Sequence, residues 1–152
     1  MDPFVAPFAE ALDRVHDDIY QLVEPMTDET INWWHPNLAN TVGILLRHIA
    51  GSERYWIVQV VGGRAVMRDR AAEFERERLA KAPLVSDLRA AQAEARGVLA
   101  SLTADDLAQT VEVPFRGSAR AVPRQWAVTT SLMHTAYHHG QIQLFAKLAG
   151  AS

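Results

Sequence analysis

Residues 131–148, SLMHTAYHHGQIQLFAKL, read as a helix with two histidines on its inner side. With residues at about 100° steps and His134 at zero, His138 falls near +40°, Gln141 near −20° and Phe145 near +20°. Ala127, Thr130 and Leu148 fall within about 40° of the same line. Trp126, Met133 and Leu144 flank one edge of the stripe and Ile142 the other. Both histidines therefore sit in the middle of a core-facing stripe. His139, at about +140°, points away and is expected to be solvated. Histidines four apart on a helix have Cβ atoms about 5–6 Å apart, so two ring nitrogens can converge on one metal ion. A buried imidazole needs a partner in any case, because its polar atoms leave water on burial.

A third histidine lies on another helical segment. Residues from about Thr41 to Val61 carry helical periodicity, capped by Asn40 or Thr41 and ended by Gly62-Gly63. With His48 at zero, Ile44, Leu45, Ser52, Tyr55 and Gln59 lie within about 60°. Arg47, Glu53 and Arg54 fall well outside and are expected to face water. Three inward imidazoles from two helices make an open-sided site of the kind catalytic zinc uses. The bland alternative is a buried histidine network that holds no metal.

The remaining pattern places these two helices in a bundle. Phe8, Leu12, Val15, Ile19 and Leu22 recur at helical spacing in a first helix from about Phe4 to Val23. Asp2 caps it, Pro3 suits its first turn and Pro25 stops it. The linker MTDETINWWHP holds a short turn capped by Thr27, and His35-Pro36 forces extended backbone. Trp33 and Trp34 close one end of the core. The stretch from Arg64 to Ala82 is highly charged, and RDRAAEFERER (68–78) reads as a solvated face. A third helix runs from about Leu84 to Ser101, with Leu88, Ala91, Ala95, Val98 and Leu99 inward. Thr103 caps a short turn through Leu107. Val111–Phe115 and Ala119–Val122, joined by RGS, suggest a small hairpin before the last helix, which runs from about Pro123 to Leu148. The fold class expected is all-α: a four-helix bundle with long connections, forming one domain over residues 1–152. The long connection between the second and third helices permits a crossover.

Composition removes several function classes. The formal net charge is −3 and no basic footprint appears, so nucleic acid is not an expected partner. With no cysteine, disulfides, thiolate nucleophiles and thiolate ligands are all excluded. No apolar run approaches the roughly 20 residues a membrane helix needs, and the acidic N-terminus is unlike a signal peptide, so a cytoplasmic location is expected. His16, beside Asp17 and Asp18, is expected to be solvated. His35 in its loop is a lesser candidate for the site. Tyr55 and Gln141 are candidates to orient the ligating rings. No side chain presents itself as a general base, so no catalytic residue is assigned.

The pairing of LLRHIAGSERYW (45–56) with HTAYHHGQI (134–142), and the tryptophan-containing linker before the second helix, resembles the DinB-like superfamily, also known as the YfiT-like metalloenzymes. The similarity spans essentially the whole chain. The resemblance implies a four-helix bundle, often homodimeric, in which three histidines hold a divalent metal, usually zinc or nickel. By motif position those ligands are His48, His134 and His138. One departure is that the family often has arginine where this chain has His139. Related members include S-transferases that use small thiols such as bacillithiol or mycothiol, and a mycothiol-dependent maleylpyruvate isomerase. The family name refers to induction by DNA damage and implies no DNA binding.

Three readings of function follow. The first is a metal-dependent enzyme of the thiol S-transferase or hydrolase type acting on a small-molecule substrate, with any thiol supplied by a low-molecular-weight cosubstrate. The second is a non-enzymatic metal-binding or stress-response protein. The third is a helical interaction protein without metal.

Overall fold

The computed structural model describes residues 1–115 and 117–150; Arg116, in the expected RGS turn, and residues 151–152 lie outside the described residues. The first helix, α1, spans Ala6–Val23. It begins two residues later than its pattern suggested, because Asp2 first closes a turn by accepting from the Phe4 N–H at 2.7 Å. A short helix, α2 (Asp28–Ile31), is capped by Thr27 as expected. Helix α3 (Val42–Glu53) starts at Thr41, whose hydroxyl accepts from the Ile44 N–H at 3.3 Å. The chain then continues as a π-helical segment, Arg54–Val61, before Gly62. Helix α4 spans Lys81–Ala100, and α5 (Ala104–Ala108) opens with a capping box between Thr103 and Asp106. Strands β1 (Thr110–Phe115) and β2 (Ser118–Pro123) form the expected antiparallel hairpin, with Val113 opposite Arg120. Helix α6 spans Arg124–Leu148. Among the described residues, no helix is long and apolar enough to cross a membrane.

The four long rods pack as a bundle: α1 lies against α4 and α6, and α3 with its π-helical extension lies against the same two. So α1 and α3 sit diagonally opposite. The connections that cross the bundle are those before α3 and after α4, while α3 and α4 are neighbours. The core has two apolar clusters. One gathers Ile19, Val23, Leu45, Ile49, Ile142 and Phe145. The other gathers Leu12, Ile57, Val61, Val98, Leu99 and Val128. Each fully buried aliphatic side chain stabilises the fold by about 1.5–3 kcal/mol relative to exposure.

Between the clusters lies a polar layer, and two expectations fail there. His16 and Glu53, both read as solvated, are each 0% exposed. His16 Nε2 donates to Glu53 Oε1 at 2.6 Å across the diagonal, and the Thr135 hydroxyl donates to the same oxygen at 3.0 Å. On the other side of the ring, His16 Nδ1 lies 3.2 Å from the Tyr20 hydroxyl, which donates to Gln92 Oε1 at 2.9 Å. Burial pushes the Tyr20 hydroxyl up to about 12, so its proton stays in place for that bond. Gln92 in turn donates to Asp13 at 3.0 Å. Both ring nitrogens of His16 are thus hydrogen-bonded, and the ring forms a buried pair with Glu53.

The reason for the miss is geometric. Ala9, Leu12, His16, Ile19 and Val23 are the buried set of α1, whereas Phe8, Val15 and Leu22 are only partly buried. The hydrophobic pattern had favoured Val15 over His16. On α3, nearly every side is covered: Val42, Leu46, His48, Ala50, Ser52 and Glu53 are all buried although they point in different directions. A helix buried all round has no solvent face for a wheel to find.

Removing one partner of a buried pair leaves the other uncompensated. Glu53→Ala is expected to lower the unfolding free energy by about 3–5 kcal/mol. Urea denaturation at neutral pH checks this, and a loss below about 1 kcal/mol would show that the layer is not a rigid contact.

Candidate metal centre

The three histidines meet. His48 comes from α3, and His134 and His138 come from successive turns of α6. His48 Nε2 lies 2.9 Å from His134 Nε2, and His138 Nε2 lies 3.1 Å from the same atom. One ring nitrogen from each residue falls within 4.8 Å of the others, a spacing that could hold a metal ion. His48 and His138 are buried; His134 is half-buried. The last point corrects the wheel. The buried set of α6 includes Val128, Ser131, Thr135, Ile142 and Ala146, so His134 stands at the rim of the buried face, about 70° from its centre. Met133, Leu144 and Leu148, expected in or beside the core, are exposed. His139 is half-exposed and outside the cluster, and His35 is likewise outside it, accepting from the Asn37 N–H at 3.1 Å.

The neighbours of the outer two rings decide what those rings offer. His48 Nδ1 faces Glu73 Oε2 at 2.7 Å, and His138 Nδ1 faces Gln141 Oε1 at 2.6 Å. Both partners are oxygen acceptors, so each Nδ1 carries the proton of the neutral ring and donates it. Each Nε2 then presents a bare lone pair. Both lone pairs aim at His134 Nε2. A proton there satisfies one of them well, while His134 Nδ1 is buried with no partner. With that proton on Nδ1 instead, three lone pairs face one another, an arrangement that asks for a cation. The donor set thus fits a divalent ion held by three neutral imidazoles, with outer partners that fix ring orientation.

The electrostatics favour the neutral form of His134 and of His138. Burial, reinforced by the neighbouring His138 and His48 rings, pushes His134 down to about 3. Burial also lowers His138, against the hydrogen bond with Gln141 that raises it. Burial would raise the Glu73 carboxyl, but hydrogen bonds from Arg68 and His48 together outweigh it and hold that group below the usual range.

Glu73 and Arg68 were not foreseen; their segment read as a solvated face. The structure corrects this for part of it: Glu73 is buried in a short 3-10 turn, Ala72–Phe74, laid over α3. Arg68 grips Glu73 with two bonds, Nε to Oε1 at 2.6 Å and Nη2 to Oε2 at 2.9 Å. Arg47 also ties the segment down, donating to the Glu73 carbonyl at 3.0 Å. Two sequence signals were available. Phe74 is the lone aromatic in the charged run, and its ring packs 4.6 Å from that of His48. Gly51 interrupts a helical pattern, and a Cβ there would stand 2.1 Å from Glu73 Oε1. Of the expected orienting residues, Gln141 performs that role. Among the described residues Tyr55 has no hydrogen bond to the histidines; its ring lies under Arg68, 5.5 Å from the guanidinium.

The open side of the triad gives onto a cleft of about 590 Å³. Its floor is His48 and His134, and its walls include Tyr55, Trp56 and Gln59 from the π-helical segment. π-helical insertions of this kind are frequent at functional sites. A second cleft, of about 630 Å³ between α1 and α4, contains none of the three histidines.

Comparison with solved structures agrees with the architecture. A conserved protein from Enterococcus faecalis superposes with a TM-score of 0.74 at 17% identity, covering 100% of this chain and 99% of that one. A DinB-like protein from Bacillus cereus ATCC 10987 gives 0.73 at 19% identity, covering 94% and 91% respectively. At such identities the likeness speaks for the fold. No curated protein matches the sequence. The sequence profile of the DinB superfamily matches residues 11–142, which include both histidine helices up to Ile142, and the protein therefore belongs to the DinB superfamily.

Proposed function

We propose that the protein holds a divalent metal ion, zinc or nickel, through Nε2 of His48, His134 and His138, and is a metal-dependent enzyme of the S-transferase or hydrolase type. The observation that carries this reading is the convergence of three ring nitrogens, two of them with lone pairs aimed inward by Glu73 and Gln141. Bound there, a divalent ion supplies a Lewis-acid centre that favours the ionised form of a water or thiol ligand. The chain's own residues hold and orient. Glu73, itself fixed by Arg68, keeps the His48 ring in one tautomer, and Gln141 does the same for His138. The adjoining cleft supports an enzyme over a metal-binding protein with no substrate, since its volume suits a small molecule. Because the chain has no cysteine, a thiol nucleophile comes from a low-molecular-weight cosubstrate.

We also propose that the protein is a homodimer joined through α6. Met133, Tyr137, Leu144 and Leu148 are 68%, 65%, 45% and 49% exposed and follow one face of the helix. Gly140, between Tyr137 and Leu144, has open space where a Cβ would be. An exposed apolar stripe of this length is unusual on a monomer surface.

Elemental analysis of protein purified without a histidine tag is expected to find one divalent ion per chain. His138→Ala should abolish metal retention and any thiol-conjugation or hydrolase activity against an electrophile panel, with the helical circular dichroism kept. Equal melting temperatures for chelated and metal-loaded wild type, with no stoichiometric metal, would sink the reading. Glu73→Gln is expected to weaken metal binding about 10–100-fold in chelator competition.

The pH response follows from His134. Its folded value, about 3, lies below the ordinary 6.5, so the folded state binds fewer protons than the unfolded chain between those values. The stability of chelator-treated protein should be level above about pH 6.5 and fall as the pH drops from there towards 3. His134→Gln should flatten that slope in urea midpoints measured across the range. For the dimer, the double variant Met133→Glu with Leu144→Glu should halve the mass in light scattering while metal content stays the same.

A further inference from the structure

The cleft beside the triad has a charge character that the metal reading does not use. Two guanidiniums line it, Arg68 and Arg70, and among the described residues no carboxylate lines it. Arg68 is already matched, since both of its bonds go to Glu73. Arg70 is different. Among the described residues it forms no ion pair, and its guanidinium packs 5.2 Å from the centroid of the Phe74 ring. That ring is the one seated against His48. Arg70 is therefore held at the cleft mouth, beside the triad, by a cation–π contact that leaves its fork of N–H donors uncommitted to any anion. The setting sharpens the point: the chain as a whole carries a net charge of −3, yet this cleft sets two guanidiniums against the single carboxylate of Glu73. Such a local excess draws anions to one place on an otherwise acidic molecule. Beyond the arginines the walls include Trp56, Tyr55, Val66 and Pro114, with Ser52 and Gln59 as the neutral polar groups.

We infer that the cleft takes a small molecule with an oxyanion head, a carboxylate or phosphate ester, on an apolar body, and that Arg70 is the residue that selects for the head. This rests on the cleft being the substrate side of the proposed centre. A planar guanidinium reads either oxyanion through two parallel N–H···O bonds, while the aromatic wall takes the body.

The test is a calorimetric titration of the full chain with 3-phenylpropionate, phenyl phosphate and the neutral 3-phenylpropanamide. It is run on protein as purified and after chelator treatment, so that binding to a metal cannot stand in for binding to arginine. Both anions, or one of them, should bind more tightly than the amide in both preparations, and the stronger identifies the head group. Arg70→Gln should weaken the preferred anion about 10–100-fold and leave the amide within about twofold. Arg70→Lys should recover part of the loss, which a merely structural role would not produce. Equal affinity for anion and amide, binding of none of the three, or wild-type anion binding in Arg70→Gln would each overturn the inference. Absence of stoichiometric metal would sink the metal reading and leave this titration's outcome standing.

Discussion

The burial of α3 on nearly every side governs the rest of the molecule. A helix at the surface can turn its polar side chains to water. This one cannot, because α4, α6 and the segment that carries Glu73 surround it. Each polar group on it must therefore meet a specific partner. His48 is met by Glu73 on one side and by His134 on the other. Glu53 is met by His16 and Thr135. The candidate metal centre and the buried His16–Glu53 pair are two answers to the same demand, one turn and a half apart on one helix.

Those two features differ in what they leave unsatisfied. The layer around His16 is a directed chain of donors ending at Asp13, near solvent, and it joins α1, α3, α4 and α6. It lies between the two apolar clusters. That layer leaves one atom over, Glu53 Oε2, which is buried without a partner among the described residues; the triad leaves its whole inner set. Its inner atoms are three nitrogens with too few protons to satisfy them, and it opens on a cleft. An unsatisfied set of ligand-type atoms held by outer partners has the character of a binding site.

The connection after the π-helical segment is part of this site and not a spacer. It supplies Glu73 to orient a ligand ring, Phe74 to pack on that ring, and two arginines to the cleft wall. The π-helical segment itself turns Tyr55, Trp56 and Gln59 toward the same space. Superfamily membership and the likeness to solved structures agree with the scaffold.

Much of this was legible in the amino-acid order. The helices, the caps at Thr27, Thr41 and Thr103, the hairpin and the inward direction of His134 and His138 relative to His139 all follow from local periodicity and capping, which act within a few residues. The three histidines could be picked out because each lies within reach of an apolar stripe on its own helix. What periodicity cannot carry is the number of neighbours a helix will have. His16, Glu53 and Glu73 read as surface residues because charge and a polar flank are the local signs of solvent. Their burial depends on partners 37 and 25 residues away, His16 with Glu53 and His48 with Glu73. Local sequence thus set which segments are helices and which rings could meet. Tertiary packing decided which charges were taken out of water, and so which residues hold those rings in place.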